Sequence, residues 1–249
     1  MEPQAVMETT ARPILEFGRT WMSDASTAAR AEALGLMPPF GFWVNGRAGV
    51  LGDVDADVAA AAIGFMHAGH VRRYWESRPG ELSPLAATVA YAEASAAWAE
   101  GVLADWSDDD ASELATLAGR VAGAADPSVG ALFAGWRALE VDTSPVGAAT
   151  IALNVLREHR GGAHLCAANA LGLGPVGAII SAEDQVRGGP AGADRFGWER
   201  PYPEPDPVRR AEVEQVTSAI CAGAYEALSA DDGARFAALV TRARSALDA

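Results

Sequence analysis

The sequence predicts an all-α, multi-helix protein with helix-turn-helix-like units, and three observations carry that prediction. A capping Ser or Asp precedes a Pro suited to the first helical position at Ser83-Pro84, Asp126-Pro127, Ser144-Pro145 and Asp206-Pro207. Apolar residues recur at helical spacing behind these starts. Hydrophobic residues make up 50% of the 249-residue chain, enough for a sizeable core, and segments with strand-like alternation are scarce.

In chain order, helices are expected at 9–34, 55–77, 84–105, 108–123, 127–141, 145–160, 163–171, 175–187, 207–228 and 230–247. Residues 40–44 and 48–51, joined across Asn45-Gly46, fit either a hairpin or a Gly-broken helix. Behind Ser83, the residues Leu85, Val89, Ala92, Ala96, Ala99 and Leu103 hold one helical face. Val129, Leu132, Phe133, Trp136 and Leu139 do the same behind Asp126. Asp108, Asp109 and Asp110 follow Ser107 into a first turn, where the positive end of the helix dipole favours them. Gly161-Gly162 is read as the end of the helix begun at Ser144. Ser229 with Asp232 caps the last helix, and residues 188–207, rich in Gly and Pro around Trp198 and Tyr202, are read as a long loop.

One internal echo bears on organisation. Residues 31–38 and 168–175 match at six of eight positions, 137 residues apart. It suggests two related helical halves, 1–143 and 144–249, the second holding the helix-turn-helix-like unit and the long loop.

Charge and composition exclude several functions. Acidic residues outnumber basic ones 33 to 19, and the net charge of −14 repels a phosphate backbone. Every basic residue is Arg, so a lysine nucleophile, a pyridoxal Schiff base and a Walker lysine are all excluded. No apolar run approaches the roughly 20 residues of a membrane span, and the N-terminal segment lacks the basic and apolar regions of a secretion signal. A cytoplasmic location is expected. Cys166 and Cys221 are read as reduced packing residues.

Residues 163–187 read as a short helix, a Gly turn and a second helix, with Ala168 four residues before Gly172. The run Leu156-Arg-Glu-His-Arg-Gly-Gly-Ala-His164 with the following 168–173, and upstream Gly41-Phe-Trp43 and 46–52, resemble an actinobacterial family classed as helix-turn-helix or MarR-like winged helix. The likeness runs over roughly 12–245 and implies a helix-turn-helix fold. Gly162 stands where that family usually has an Asp between its two His, and residues 197–206 replace part of a longer helical region, which implies a reduced wing. The second helix, 175–187, offers Glu183 and Asp184 against the single Arg187, a poor face for base edges and phosphates, so nucleic acid is the disfavoured partner.

The candidate chemistry lies in His, Arg and Trp. His67 and His70 are one helical turn apart, and His159 and His164 flank the expected break at Gly161-Gly162. If the halves pack together, the four imidazoles converge on a metal or a haem; the competing reading is ordinary solvated helix ends. Glu158, His159 and His164 are the candidate catalytic groups. Arg47 and Arg157 suit a carboxylate or phosphate on a ligand, and Trp43, Trp75 and Trp198 sit near breaks where a pocket could open. The sequence Gly172-Leu-Gly174-Pro-Val-Gly177 followed by Asp194 matches a dinucleotide fingerprint but lacks the strand before it.

The expectation is a small-molecule-binding protein or small enzyme of secondary metabolism. Its ligand is held between the halves by Arg47, Trp43, His67, His70, Arg157 and Trp198. The alternatives are a ligand-responsive transcription regulator and a haem or metal protein, and a homodimer is left open.

Overall fold

A computed structural model describes residues 1–184 and 188–248, which fold as helices joined by turns, with no strand among them. The first expected helix, 9–34, is divided. Helix α1 spans Pro3–Thr20, a 3-10 turn follows at Trp21–Ser23, and α2 spans Ala25–Ala33. The division arises because Asp24 accepts a hydrogen bond from the Ser26 amide and starts a new helix, while the wholly buried Trp21 anchors the break.

Residues 40–51 are helical, as α3 (Gly41–Ala48) and a 3-10 turn. The expected helix 55–77 breaks at Gly64, φ +74°, into α4 (Ala56–Ile63) and α5 (Ala68–Glu76). Helices α6 (Pro84–Val102) and α7 (Asp108–Ala124) start where predicted, with the Ser83 and Ser107 hydroxyls accepting from the amides of Ala86 and Asp110. Residues 127–141 hold a 3-10 turn and the short α8 (Ala131–Arg137).

The largest departure is α9, which runs unbroken over Pro145–Ala170 through Gly161-Gly162. Tertiary contact overrides the local signal there. A Cβ on Gly162 would lie 2.8 Å from the Val129 carbonyl oxygen, so the glycine lets the 3-10 turn Pro127–Val129 press against the helix. A Cβ on Gly161 meets nothing within 4 Å. Beyond α9, α10 spans only Gly174–Ile180 and ends short of the expected 187; Gln185, Val186 and Arg187 lie outside the described residues. The expected loop 188–207 contains α11 (Gly189–Arg195). Helices α12 (Pro207–Ala222) and α13 (Ala230–Ser245) close the chain, capped by Asp206 and Ser229.

Helix α9 is the hub, packed by α1, α6, α7, α8 and α12. The most extensive pairing, α7 with α9, and that of α1 with α13 join helices from either side of residue 143, while that of α3 with α6, equal to the second, lies within the first half. The internal echo has a structural meaning at both places. The amides of Leu34, Gly35 and Leu36 donate to the carbonyls of Arg30, Glu32 and Ala31, and those of Leu171, Gly172 and Leu173 donate to Ala167, Asn169 and Ala168. Both are the same C-terminal turn, with glycine at φ +66° and +72°. No single helix among the described residues is long and apolar enough to cross a membrane.

The two central glycines of α9 are expected to respond oppositely to alanine. Gly161→Ala gains helix propensity in open space and should stabilise by about 0.5–1 kcal/mol. Gly162→Ala drives a methyl against the Val129 carbonyl and should destabilise by about 1–3 kcal/mol. Urea unfolding of both variants checks this; equal effects would contradict the close approach.

Candidate functional site

The site begins at α3. A Cβ on Gly46 would collide with Tyr91, and one on Gly49 with the Pro84 carbonyl and Thr88, so these glycines allow α3 and its following turn to sit hard against α6. That approach directs Arg47, which lies between them with Ala48, toward α9. Arg47 donates from Nε to Glu158 Oε1 at 2.8 Å and from Nη2 to Oε2 at 2.7 Å. The pair is bidentate and buried, with Arg47 9% and Glu158 4% exposed. Trp43 lies under the guanidinium at 4.4 Å, and the Trp136 indole donates to the Arg47 carbonyl at 3.0 Å. Arg157 stands behind the pair, its Nη1 3.5 Å from Glu158 Oε1.

Burial pushes the Glu158 carboxyl up, but the charge and hydrogen bonds of Arg47, with the charge of Arg157, outweigh it and the net direction is down. Glu158 is therefore held ionised. Burial likewise pushes Arg47 down, and the Glu158 charge and hydrogen bonds reverse it.

Arg47 and Glu158 form the polar end of a cavity of about 340 Å³. Its walls come from α4 and Phe65 on one side, from the 129–133 stretch on another, and from α9. On α9 the lining residues are Glu158, Gly161, Gly162, Leu165 and Cys166, the 3–4 spacing of one helical face. Because Gly161 has no side chain, the cavity extends over it. Cys166, expected as packing, is exposed at this cavity, whereas Cys221 is buried; both are free thiols.

The four His do not converge. Continuity of α9 sets His159 and His164 five residues apart on one helix, ~140° around its axis. His159 packs on Phe133, ring centroids 4.8 Å apart. His164 faces α12, with Nδ1 3.1 Å from Thr217 Oγ1, Nε2 against Arg210, and its ring stacked on Phe65. His67 precedes the first turn of α5 and meets Trp198 at 5.3 Å, while His70 packs among Phe40 and Tyr74. The expected common metal or haem centre is thus replaced by three separate packing environments. Among the described residues no group of three or more His, Cys, Asp or Glu is placed to hold a metal. Glu158, His159 and His164 also point to different neighbours and form no catalytic group together.

Trp43, His70 and Trp198 belong to an aromatic seam between α3, α5 and residues 196–202. Trp43 stacks on Phe196 at 6.2 Å, and the Trp198 indole donates to the Phe65 carbonyl at 2.9 Å. Trp75 is buried, its indole bonded to the Val54 carbonyl. The cavity walls Phe65, Phe133 and Leu165 carried no functional signal, since apolar residues at helical spacing look like any core. Gly161-Gly162 was the signal available, and it read as a helix stop.

The second helix of the helix-turn-helix-like unit faces inward. Gly177, Ala178, Ile179 and Ile180 of α10 are buried, Ile179 and Ile180 among Ala193, Phe65, Phe196, Trp198 and Tyr202. No strand lies among the described residues, so the winged part of the resemblance has no counterpart there.

The bundle and the turn between α9 and α10 define an all-α protein of helix-turn-helix type. A helix-turn-helix family matches residues 10–204, and the chain belongs to that family. No curated protein and no solved structure matches the chain.

Two measurements follow from this geometry. Glu158→Ala leaves Arg47 buried without its carboxylate and should cost about 3–5 kcal/mol, whereas Arg47→Met with Glu158→Leu should cost clearly less than the sum of the single changes; denaturant unfolding of the cycle reads the coupling.

Burial alone pushes His159 down to about 4, and burial, then the charge of Arg210, push His164 down to about 4 against the pull of Glu214. The unfolded chain binds protons near the ordinary value of 6.5, so stability is full above that pH and falls as pH drops from 6.5 toward about 4. His159→Leu should flatten that slope by about one proton. A stability flat across this window in the unmodified protein would show that neither ring is held neutral by folding.

Proposed function

We propose that this chain is a small-molecule-binding protein that keeps a helix-turn-helix scaffold without using it to read DNA, and that its ligand occupies the cavity ending at Arg47 and Glu158. The burial of α10 carries this reading. The helix that would lie in a major groove spends its side chains on the core beneath α11 and residues 196–202. The charge of −14 adds a general repulsion from phosphate. The cavity supplies the alternative: apolar walls, a size at the lower end of the roughly 300–1,000 Å³ usual for ligand sites, and one polar end.

The runner-up is a ligand-responsive regulator. It is favoured by one observation: Leu165 and Cys166 line the cavity little more than a turn before α9 ends and α10 begins. Occupancy would then bear directly on the α9–α10 turn.

Two assays separate these readings. In a gel shift with the chain's own upstream region and a scrambled duplex, neither is expected to move at about 50 mM salt; a sequence-selective, salt-sensitive shift would favour the regulator. In a fluorescence titration, the neutral probe 2-naphthol should bind with one-to-one stoichiometry, and Gly161→Leu, which fills the cavity from an open backbone position, should abolish binding without lowering the melting temperature.

A further inference from the structure

We infer that the cavity selects ligands bearing a single negative charge on an apolar body, with Arg47 as the group that reads the charge. The inference rests on the ligand-binding reading above and names the class of molecule. Its first support is a charge count at the inner end. Two guanidiniums, Arg47 and Arg157, face the one carboxylate of Glu158, and guanidinium stays protonated at any working pH. Glu158 is held ionised as well, so the group carries one net positive charge.

The second support is the hydrogen-bond inventory. Arg47 spends Nε and Nη2 on Glu158, and nothing among the described residues accepts from its Nη1. Arg47 is nine-tenths buried and lines the cavity, where Nη1 stays open to solvent and so to a ligand. A donor with no protein acceptor, on a net-positive group that lines a cavity, is best met by an anionic acceptor. Both oxygens of Glu158 already accept from Arg47, and Arg157 stands 3.5 Å from Oε1. A ligand ammonium would have to compete with fixed guanidinium charge for the same carboxylate.

The remaining walls ask for an apolar body. Ile63, Phe65, Leu132, Phe133 and Leu165 line the cavity, with backbone exposed at Gly161. A carboxylate carrying a flat or branched hydrocarbon group satisfies both ends. A multiply charged phosphate ester does not, because only one excess positive charge is present.

The test compares three isosteric probes by calorimetry: 2-naphthoate, 2-naphthamide and 2-naphthylmethylamine. In the unmodified protein, naphthoate should bind roughly ten- to hundredfold more tightly than the amide, with the amine weakest. Glu158→Gln preserves shape and raises the net positive charge, so it should tighten naphthoate further, an effect that damage to the fold cannot mimic. Equal affinity for acid and amide would overturn the charge selection and leave the cavity reading intact. Tightest binding by the amine would overturn it in favour of Glu158 as the reader. Absence of binding by all three, with 2-naphthol binding that is absent or unchanged by Gly161→Leu, would remove the cavity reading itself.

Discussion

The arrangement depends on one buried ion pair. Arg47 and Glu158 are 111 residues apart in sequence, and their two parallel hydrogen bonds tie α3 to the middle of α9. Burying two charges costs several kcal/mol each unless geometry and further hydrogen bonds compensate. Compensation here is assembled from every side. Gly46 and Gly49 let α3 close on α6, Trp43 covers the guanidinium face, Trp136 binds the Arg47 carbonyl, and Arg157 adds charge behind Glu158. Any slip of α3 along α6 would separate the pair and leave both ions without water, so the pair specifies register as much as it stabilises.

The same pair explains why α9 must be continuous. Glu158 and the cavity face beyond it, Gly161, Gly162, Leu165 and Cys166, share one side of the helix only if its period is unbroken through the glycines. The other sides are then committed elsewhere. Arg157 faces α1, where its side chain approaches Gly18, while Arg160 and His164 face α12 through Glu214 and Thr217. One helix thus distributes three chemically distinct surfaces. The two glycines do different things within it: Gly162 admits a neighbouring backbone and Gly161 leaves a void.

What the sequence disclosed follows from where the physics is local. Caps are local, so Ser83, Ser107, Ser144, Asp206 and Ser229 marked helix starts that the structure repeats. The Asp24 cap behind Trp21–Ser23 is equally local and lies unused in the expected helix 9–34, whereas the continuity of α9 through Gly161-Gly162 is set by packing and has no local sign. The four-histidine cluster failed for the same reason, since it needed the helix to end at Gly161-Gly162. Arg47 was legible as a lone charge among Gly and apolar residues, and Arg157 and Glu158 through the charged run 157–160 that carries the family resemblance. That Arg47 and Glu158 bind each other was not, because nothing local links α3 to α9. Phe65 and Phe133 were invisible as site residues, being chemically identical to core.

The electrostatics of the site argue for holding a molecule more than for transforming one. General acid–base work needs a group that changes protonation near the working pH and faces the substrate. Glu158 faces the cavity but is locked in its charged form by Arg47 and Arg157. His159 is held neutral to about pH 4, yet its ring lies against Phe133 and does not line the cavity. The remaining polar groups are the Cys166 thiol and a fixed positive charge with one donor to spare, inside a molecule whose net charge is −14. Such a surface slows the approach of anions at low salt, so the proposed selection would come from the residence of the bound state, where an apolar wall and a largely buried guanidinium act together.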